Sequence, residues 1–156
     1  MSDVPAHSEK RTLTFTVEFP EHEPRTATRL FRQTRHHMID VLGVGCWIGG
    51  ATKTDLAAGL PSSHRCYGAK QLEAHHDLAE WADWNGIDWR KVATDFPQLK
   101  IHDDASFRAA AESDTGIMVL CDKHHRAKGH GVHMVDYPSW RPDRWAREGF
   151  EFLGGA

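Results

Sequence analysis

The sequence predicts a single domain of the α+β class, and three observations support this. A stretch that ends at Pro20 alternates apolar with polar residues, which is typical of a half-buried strand: Leu13, Phe15, Val17 and Phe19. Gly116 to Leu120 is a short apolar run that we expect to be buried. Several other segments show helical spacing. With 156 residues the chain is long enough for one core, so we expect one domain over residues 1–156, with 1–11 as a flexible tail.

Helices are predicted in five segments. Thr28 can cap a helix that runs to about Leu42, where Gly43 ends it, with a buried face drawn from Leu30, Phe31, Met38, Ile39 and Leu42. The other segments are 52–60, 90–96, 105–112 and an amphipathic tail over 137–149. The tryptophans of 78–89 are expected in the core, because large rings dominate small cores.

Composition restricts the classes of function. The chain is 40% hydrophobic, no run reaches the length of a membrane span, and residues 1–10 are polar, so we expect a cytoplasmic protein that does not contact membranes. A net charge of −3 excludes a globally basic nucleic-acid binder. The three cysteines and twelve histidines suit a reducing compartment and favour metal or proton chemistry.

Four arginines recur every three or four residues and share one side of the first predicted helix: Arg25, Arg29, Arg32 and Arg35. Such a run can be a solvated face, which is the commoner outcome. It can also be a ridge that contacts phosphates, and in that case Arg29, Arg32 and Arg35 are the candidate DNA-binding residues.

The cysteines suggest a structural zinc site. Cys121 and His124 have the spacing of a chelating turn, in which both side chains reach one tetrahedral ion. Cys46, in a glycine-rich turn, is the best third ligand, and Cys66 is the natural fourth. The alternative is that one or more of these cysteines is buried as a small hydrophobic residue.

The remaining histidines suggest a second, reactive site. Neighbouring residues point in different directions, so His125 is free of the ion that His124 binds, and His75 and His76 divide in the same way into a ligand and a residue that faces substrate. His130 or His133 can complete the site, and His133 is preferred because Gly131 allows the chain to turn back. For each of them a solvated histidine is the alternative.

Three segments together resemble the HNH endonuclease family: Cys46-Trp47-Ile48-Gly49-Gly50, Glu73-Ala74-His75-His76, and the run Met118 to His133 with its Leu-Cys-x-x-His-His motif. The likeness is closest to small HNH-like proteins carried by bacteriophages of actinobacteria, and it extends from about Phe19 to Phe152. The resemblance implies a treble-clef-like ββα-metal core, a hairpin and a helix around one divalent ion (Mg, Mn, Ni or Zn), with a zinc knuckle, a short N-terminal strand and flanking helices. It also implies hydrolysis of DNA phosphodiester bonds.

Carried over position by position, the resemblance assigns His76 as the general base and His75 and His125 as ligands of the catalytic ion. Two positions depart from the family pattern. Gly49 stands where a second knuckle cysteine is expected, and Cys66 is the expected replacement. Gly116 stands where the motif asparagine, which orients the base, is expected; Asp114 or a backbone carbonyl near Gly116 is the candidate substitute.

Three functions therefore remain open: a metal-dependent endonuclease, a catalytically degenerate HNH fold that binds DNA or protein, and a zinc-stabilised protein whose tryptophans anchor a protein partner. The sequence leaves the oligomeric state open.

Overall fold

A computed structural model of the protein describes residues 18–128 and 131–134 together with Trp145 and Arg147. Its elements are α1 (Arg29–His36), a π-helical turn (His37–Val41), α2 (Lys53–Ala58), β1 (Leu72–His76), a 3-10 helix (Trp81–Gly86), α3 (Trp89–Asp95), a 3-10 turn (Pro97–Leu99), α4 (Asp104–Ala111), β2 (Ile117–Cys121), α5 (Asp122–Arg126) and a 3-10 turn (Val132–Met134). The mixture of helices with a small sheet confirms the α+β class. Most of the predicted N-terminal strand, the 1–11 tail, His130 and nearly all of the 137–149 helix lie outside the described residues.

The sheet has two antiparallel strands that are far apart in sequence. We call this pair of strands the hairpin, although the connection between them is long. β1 pairs with β2 so that Leu72 lies opposite Cys121 and His76 lies opposite Ile117. Cys121 ends β2 and also precedes the first residue of α5 as its N-cap. The hairpin therefore passes directly into a helix, and His125 on that helix comes back against the strand that carries His75.

The buried apolar residues form two clusters. The first is built largely by the connection between the strands, with Trp84, Ile87, Val92 and Phe107 buried in it and Trp145 joining them. The second packs the hairpin against the π-helical turn that follows α1. It contains Met38, Ile39, Leu72, Val119 and Leu120 together with the three cysteines. Trp84 is 3% exposed, whereas Trp81 and Trp89 are half-buried and pack against the first cluster. The prediction that the tryptophans of 78–89 lie in the core is therefore fully confirmed only for Trp84.

The first predicted helix begins where expected. The Thr28 hydroxyl accepts a hydrogen bond from the Phe31 amide and caps α1. The prediction that Leu30 and Leu42 lie on its buried face is wrong, because both side chains are exposed. The Leu42 amide donates to the His37 carbonyl at 2.8 Å, a bond across five residues that turns the helix face out of its normal register. Among the described residues, no helix combines the length and apolarity needed to cross a bilayer.

Candidate metal centres

Four side chains converge behind the hairpin: Cys46, Cys66, Cys121 and His124. The His124 Nδ1 atom lies 3.1 Å from the sulfur of Cys121, 3.4 Å from that of Cys46 and 3.8 Å from that of Cys66. Tetrahedral zinc with nitrogen and sulfur ligands at about 2.0–2.3 Å would separate neighbouring ligand atoms by about 3.3–3.8 Å. The observed spacing fits a metal ion such as zinc, and the four residues are those the sequence predicted.

Gly49 explains why the second knuckle position carries no ligand. A Cβ atom at Gly49 would lie 2.5 Å from the Cys66 sulfur. Cys66 comes from the loop before β1 and fills the space that a side chain at position 49 would need. Cys66 therefore supplies the fourth side chain that could bind an ion, and Gly49 is a position where only glycine fits without a shift of that sulfur.

The pKa values of the three thiols in this cluster are shifted in different directions. Burial raises the pKa of Cys121 to about 12 and also raises that of Cys66. Burial acts in the same direction on Cys46, but hydrogen bonds from the backbone amides of Cys121, Gly49 and Ile48 outweigh it, so the Cys46 pKa is lowered. A metal ion would have to displace the remaining protons, since the thiolate is the ligand.

A second cluster contains three imidazoles on three different elements: His75 near the end of β1, His125 on α5 and His133 in the last 3-10 turn. Their ring centroids lie 4.7–5.3 Å apart, and the Nε2 atoms of His125 and His133 are 2.9 Å apart. The structure thus brings together all three histidines predicted to bind the catalytic ion.

Two glutamates lie behind these imidazoles, and the sequence analysis assigned no role to either. The His125 Nδ1 atom lies 2.7 Å from a Glu73 oxygen. Glu80 Oε1 lies 3.3 Å from His75 Nδ1 and 3.6 Å from His133 Nδ1. Glu73 stands in the Glu-Ala-His-His motif, so its sequence position could have indicated a role beside the histidines. Nothing in the sequence distinguishes Glu80 from other acidic residues.

The three imidazoles are neutral near pH 7. Burial, followed by the charges of the neighbouring histidines, lowers the pKa of His75 to about 3. Burial is also the main reason that the pKa values of His125 and His133 are lowered. A carboxylate lies on the Nδ1 side of each ring, which favours the tautomer with a proton on Nδ1 and a lone pair on Nε2. The 2.9 Å distance between the Nε2 atoms of His125 and His133 is that of a hydrogen bond, so one ring donates from Nε2 to the other when no cation is bound. A divalent ion beside both rings would take up both Nε2 lone pairs, and this donor set suits such an ion with an open coordination position.

His76 has different neighbours from His75, as expected for consecutive residues of a strand. Its ring stacks on Phe31 at 4.9 Å between centroids and meets Trp84 edge-on at 5.4 Å. The residue is 4% exposed, and neither ring nitrogen has a hydrogen-bond partner in the described part of the chain. Burial, with a smaller contribution from the Arg25 charge, lowers its pKa to about 4. His76 is therefore a neutral imidazole with two unused hydrogen-bonding positions.

Gly116 occupies a place that admits no side chain. A Cβ atom there would lie 2.2 Å from the Ala110 carbonyl oxygen at the end of α4. The Gly116 carbonyl accepts from the Asp77 amide at 2.9 Å and from the Leu78 amide at 3.3 Å. The expectation that this carbonyl or Asp114 orients His76 is wrong, because both His76 nitrogens are unpartnered within the described ranges and Asp114 is exposed.

The arginines of the first helix lie at the surface: Arg25, Arg29, Arg32 and Arg35 are all exposed. The Arg25 guanidinium lies over the Phe31 ring, 5.6 Å from its centroid, on the residue that stacks against His76. The Arg25 charge also contributes to the lowered pKa values of His75, His125 and His133. Positive charge therefore extends from the arginine face to the edge of the three-histidine cluster.

Comparison of the chain with protein-family models, with curated proteins and with solved structures found no match in any of the three.

Proposed function

We propose that the protein is a metal-dependent endonuclease of the HNH type that hydrolyses DNA phosphodiester bonds. The observation that carries the proposal is the convergence of His75, His125 and His133 at the junction of a ββα unit, each with a carboxylate at its Nδ1 side. Metal-binding histidines commonly have such carboxylate partners, because these fix the ring and its tautomer.

In this proposal His75, His125 and His133 hold one divalent ion. When bound, that ion supplies positive charge to the scissile phosphate and to the leaving oxygen. Imidazole ligands suit zinc, nickel and related ions better than magnesium, which prefers oxygen ligands. A zinc ion held by Cys46, Cys66, Cys121 and His124 has a structural role, because these four ligands complete a closed shell.

His76 is the proposed general base. Its lowered pKa keeps the ring neutral near pH 7, and a neutral imidazole can take a proton from an attacking water. The ring nitrogens are sealed from solvent, so the proposal requires Phe31 to move aside when substrate binds. Phe31 belongs to α1, the element that presents the arginines, so DNA binding and the displacement of Phe31 would involve the same helix.

The arginine face is the proposed DNA-binding surface. Arg29, Arg32 and Arg35 are spaced to follow one side of α1, and Arg25 extends this charge toward the imidazoles. Local positive charge allows a protein with a net charge of −3 to bind a polyanion.

The test is relaxation of supercoiled plasmid by protein whose cysteine cluster is filled with zinc, with magnesium, manganese, nickel or further zinc added. His75→Ala should abolish cleavage together with ion binding at the three histidines. His76→Ala should retain the ion but slow cleavage by about 10²–10⁴-fold. His102→Ala is the matched control, because His102 is exposed and its Nδ1 contacts only the Lys100 carbonyl among the partners described. His76→Ala that cleaves as fast as wild type would remove the mechanism.

A second candidate function is a catalytically degenerate HNH fold that binds DNA or a protein without cleavage. It is favoured by the buried, unoriented His76 and by Gly116, where an asparagine has no room. A DNA mobility shift that weakens with salt, together with no cleavage under any of the four ions, would select this function. No shift at all would favour a protein partner.

A further inference from the structure

We propose that Glu80 is a positioning residue that holds two metal-binding imidazoles, His75 and His133, with their Nε2 atoms toward one ion. This inference rests on the three-histidine ion site of the proposed function. It adds a residue from the long connection between the strands, outside the motifs that carry the HNH resemblance.

The contacts of Glu80 place one oxygen between two rings. Oε1 lies 3.3 Å from His75 Nδ1 and 3.6 Å from His133 Nδ1, and the side chain is 18% exposed. Oε1 is itself buried and has no hydrogen-bond partner of normal geometry in the described part of the chain. A small rotation of either ring would convert its contact with Oε1 into a hydrogen bond.

The Glu80 carboxylate does not cap the helix that it precedes. Glu80 is the N-cap residue of the 3-10 helix Trp81–Gly86, yet its side chain makes no capping hydrogen bond. Burial, and after it the charge of the nearby Asp83, raises the pKa of Glu80 and so disfavours its ionisation. Burial of an acidic side chain costs stability. The position of Glu80 is best explained by an interaction with the two imidazoles that it faces.

Glu73 supplies the comparison. Its Oε2 atom lies 2.7 Å from His125 Nδ1, and its other oxygen contacts Arg126. Every imidazole of the cluster thus has a carboxylate on its Nδ1 side: Glu73 serves one ring and Glu80 serves two. A carboxylate that accepts the Nδ1 proton fixes the tautomer, directs the Nε2 lone pair toward the ion and raises the basicity of the ligand.

The experiment is a cobalt titration of protein whose cysteine site is already filled with zinc, so that the visible absorption of Co²⁺ reports the three-histidine site. Glu80→Gln preserves the shape of the side chain and removes its charge. Glu112→Gln is the matched control, because Glu112 is also a buried glutamate but pairs with the Thr28 hydroxyl. We expect Glu80→Gln to weaken Co²⁺ binding by about 10–100-fold and Glu112→Gln to change it less than about threefold.

A second measurement separates positioning from a general effect on the fold. In zinc-loaded wild-type protein, the Nδ1 protons of His75 and His133 should give slowly exchanging downfield NMR signals. These signals should be lost in Glu80→Gln and retained in Glu112→Gln. Their absence from the wild type would overturn the proposal even if Glu80→Gln failed to fold.

The outcomes distinguish this inference from the proposed function. Wild-type protein that binds no Co²⁺ at the three histidines would overturn both. Equal Co²⁺ affinity of wild type and Glu80→Gln would overturn the role of Glu80 alone. Weakened binding in Glu80→Gln, with no DNA cleavage by the wild type, would support the role of Glu80 and remove the nuclease.

Discussion

Zinc binding to the cysteine cluster should release between two and three protons near pH 7. The pKa of Cys121 is raised to about 12 and that of Cys66 is also raised, so both thiols are protonated in the metal-free protein. The Cys46 pKa is lowered, so this thiol contributes at most one proton. Because protons compete with zinc, the binding constant should fall by about two to three powers of ten for each unit that the pH is lowered, or about 3–4 kcal/mol.

Isothermal titration of His75→Ala with zinc, in two buffers of different ionisation enthalpy, measures this release without interference from the histidine cluster. Cys66→Ser is the control, because a serine hydroxyl keeps its proton and the release should fall by about one. The histidine cluster should behave in the opposite way: its rings are already neutral at pH 7, so ion binding there should release almost no protons. Release of less than one proton by the cysteine cluster would refute the reasoning.

Two substitutions test the packing around the two sites, and a third tests the effect of a buried carboxyl group on stability. Gly49→Ala should weaken zinc binding and lower the unfolding midpoint, because its Cβ would lie 2.5 Å from the Cys66 sulfur. Gly116→Asn should destabilise the fold by about 1–3 kcal/mol rather than restore activity, because its Cβ would lie 2.2 Å from the Ala110 carbonyl; faster cleavage would contradict this. Asp83→Asn should stabilise the protein at pH 8 but not at pH 4. Burial raises the Asp83 pKa to about 7, so the native state loses up to about 4 kcal/mol as pH rises from about 4 to 7, and urea unfolding without added divalent ions measures it.

The cysteine cluster was predicted from residue type and spacing, whereas the choice of His75 over His76 for the histidine cluster came from the resemblance to the HNH family. Cysteine and histidine are the residue types that bind transition metals, and the spacing of Cys121 and His124 joined two ligands at once. Cys66 followed by elimination, since the chain has three cysteines. Such residues are few, so chemical type alone reduces the choice to a small set.

The residues that orient the site could not be predicted in the same way. The chain contains 22 acidic residues, and Glu80 is singled out only by the path of the connection between the strands. Gly49 and Gly116 were interpreted as missing side chains, whereas the structure shows positions where a Cβ has no room. Available space depends on atoms distant in sequence, such as the Cys66 sulfur, which periodicity and motif spacing do not report.

Helix α5 carries residues of both clusters. We therefore expect ion binding at the histidine cluster to depend on the ion at the cysteine cluster, but not the reverse. Cys121 precedes α5 and His124 lies within it, while the adjacent His125 belongs to the histidine cluster. A helix of five residues is too short to be stable by itself, so the ion at the cysteine cluster should fix its position.

Cys66→Ser should therefore weaken Co²⁺ binding at the histidine cluster, although Cys66 belongs to the other cluster. A substitution in the histidine cluster should not affect the cysteine cluster. His75→Ala should therefore leave one zinc per chain, because His75 is not a member of the cysteine cluster. Elemental analysis with a cobalt titration measures both ions. Wild-type Co²⁺ affinity in Cys66→Ser would show that packing of the hairpin alone holds His125, and that the zinc ion contributes nothing to the reactive site.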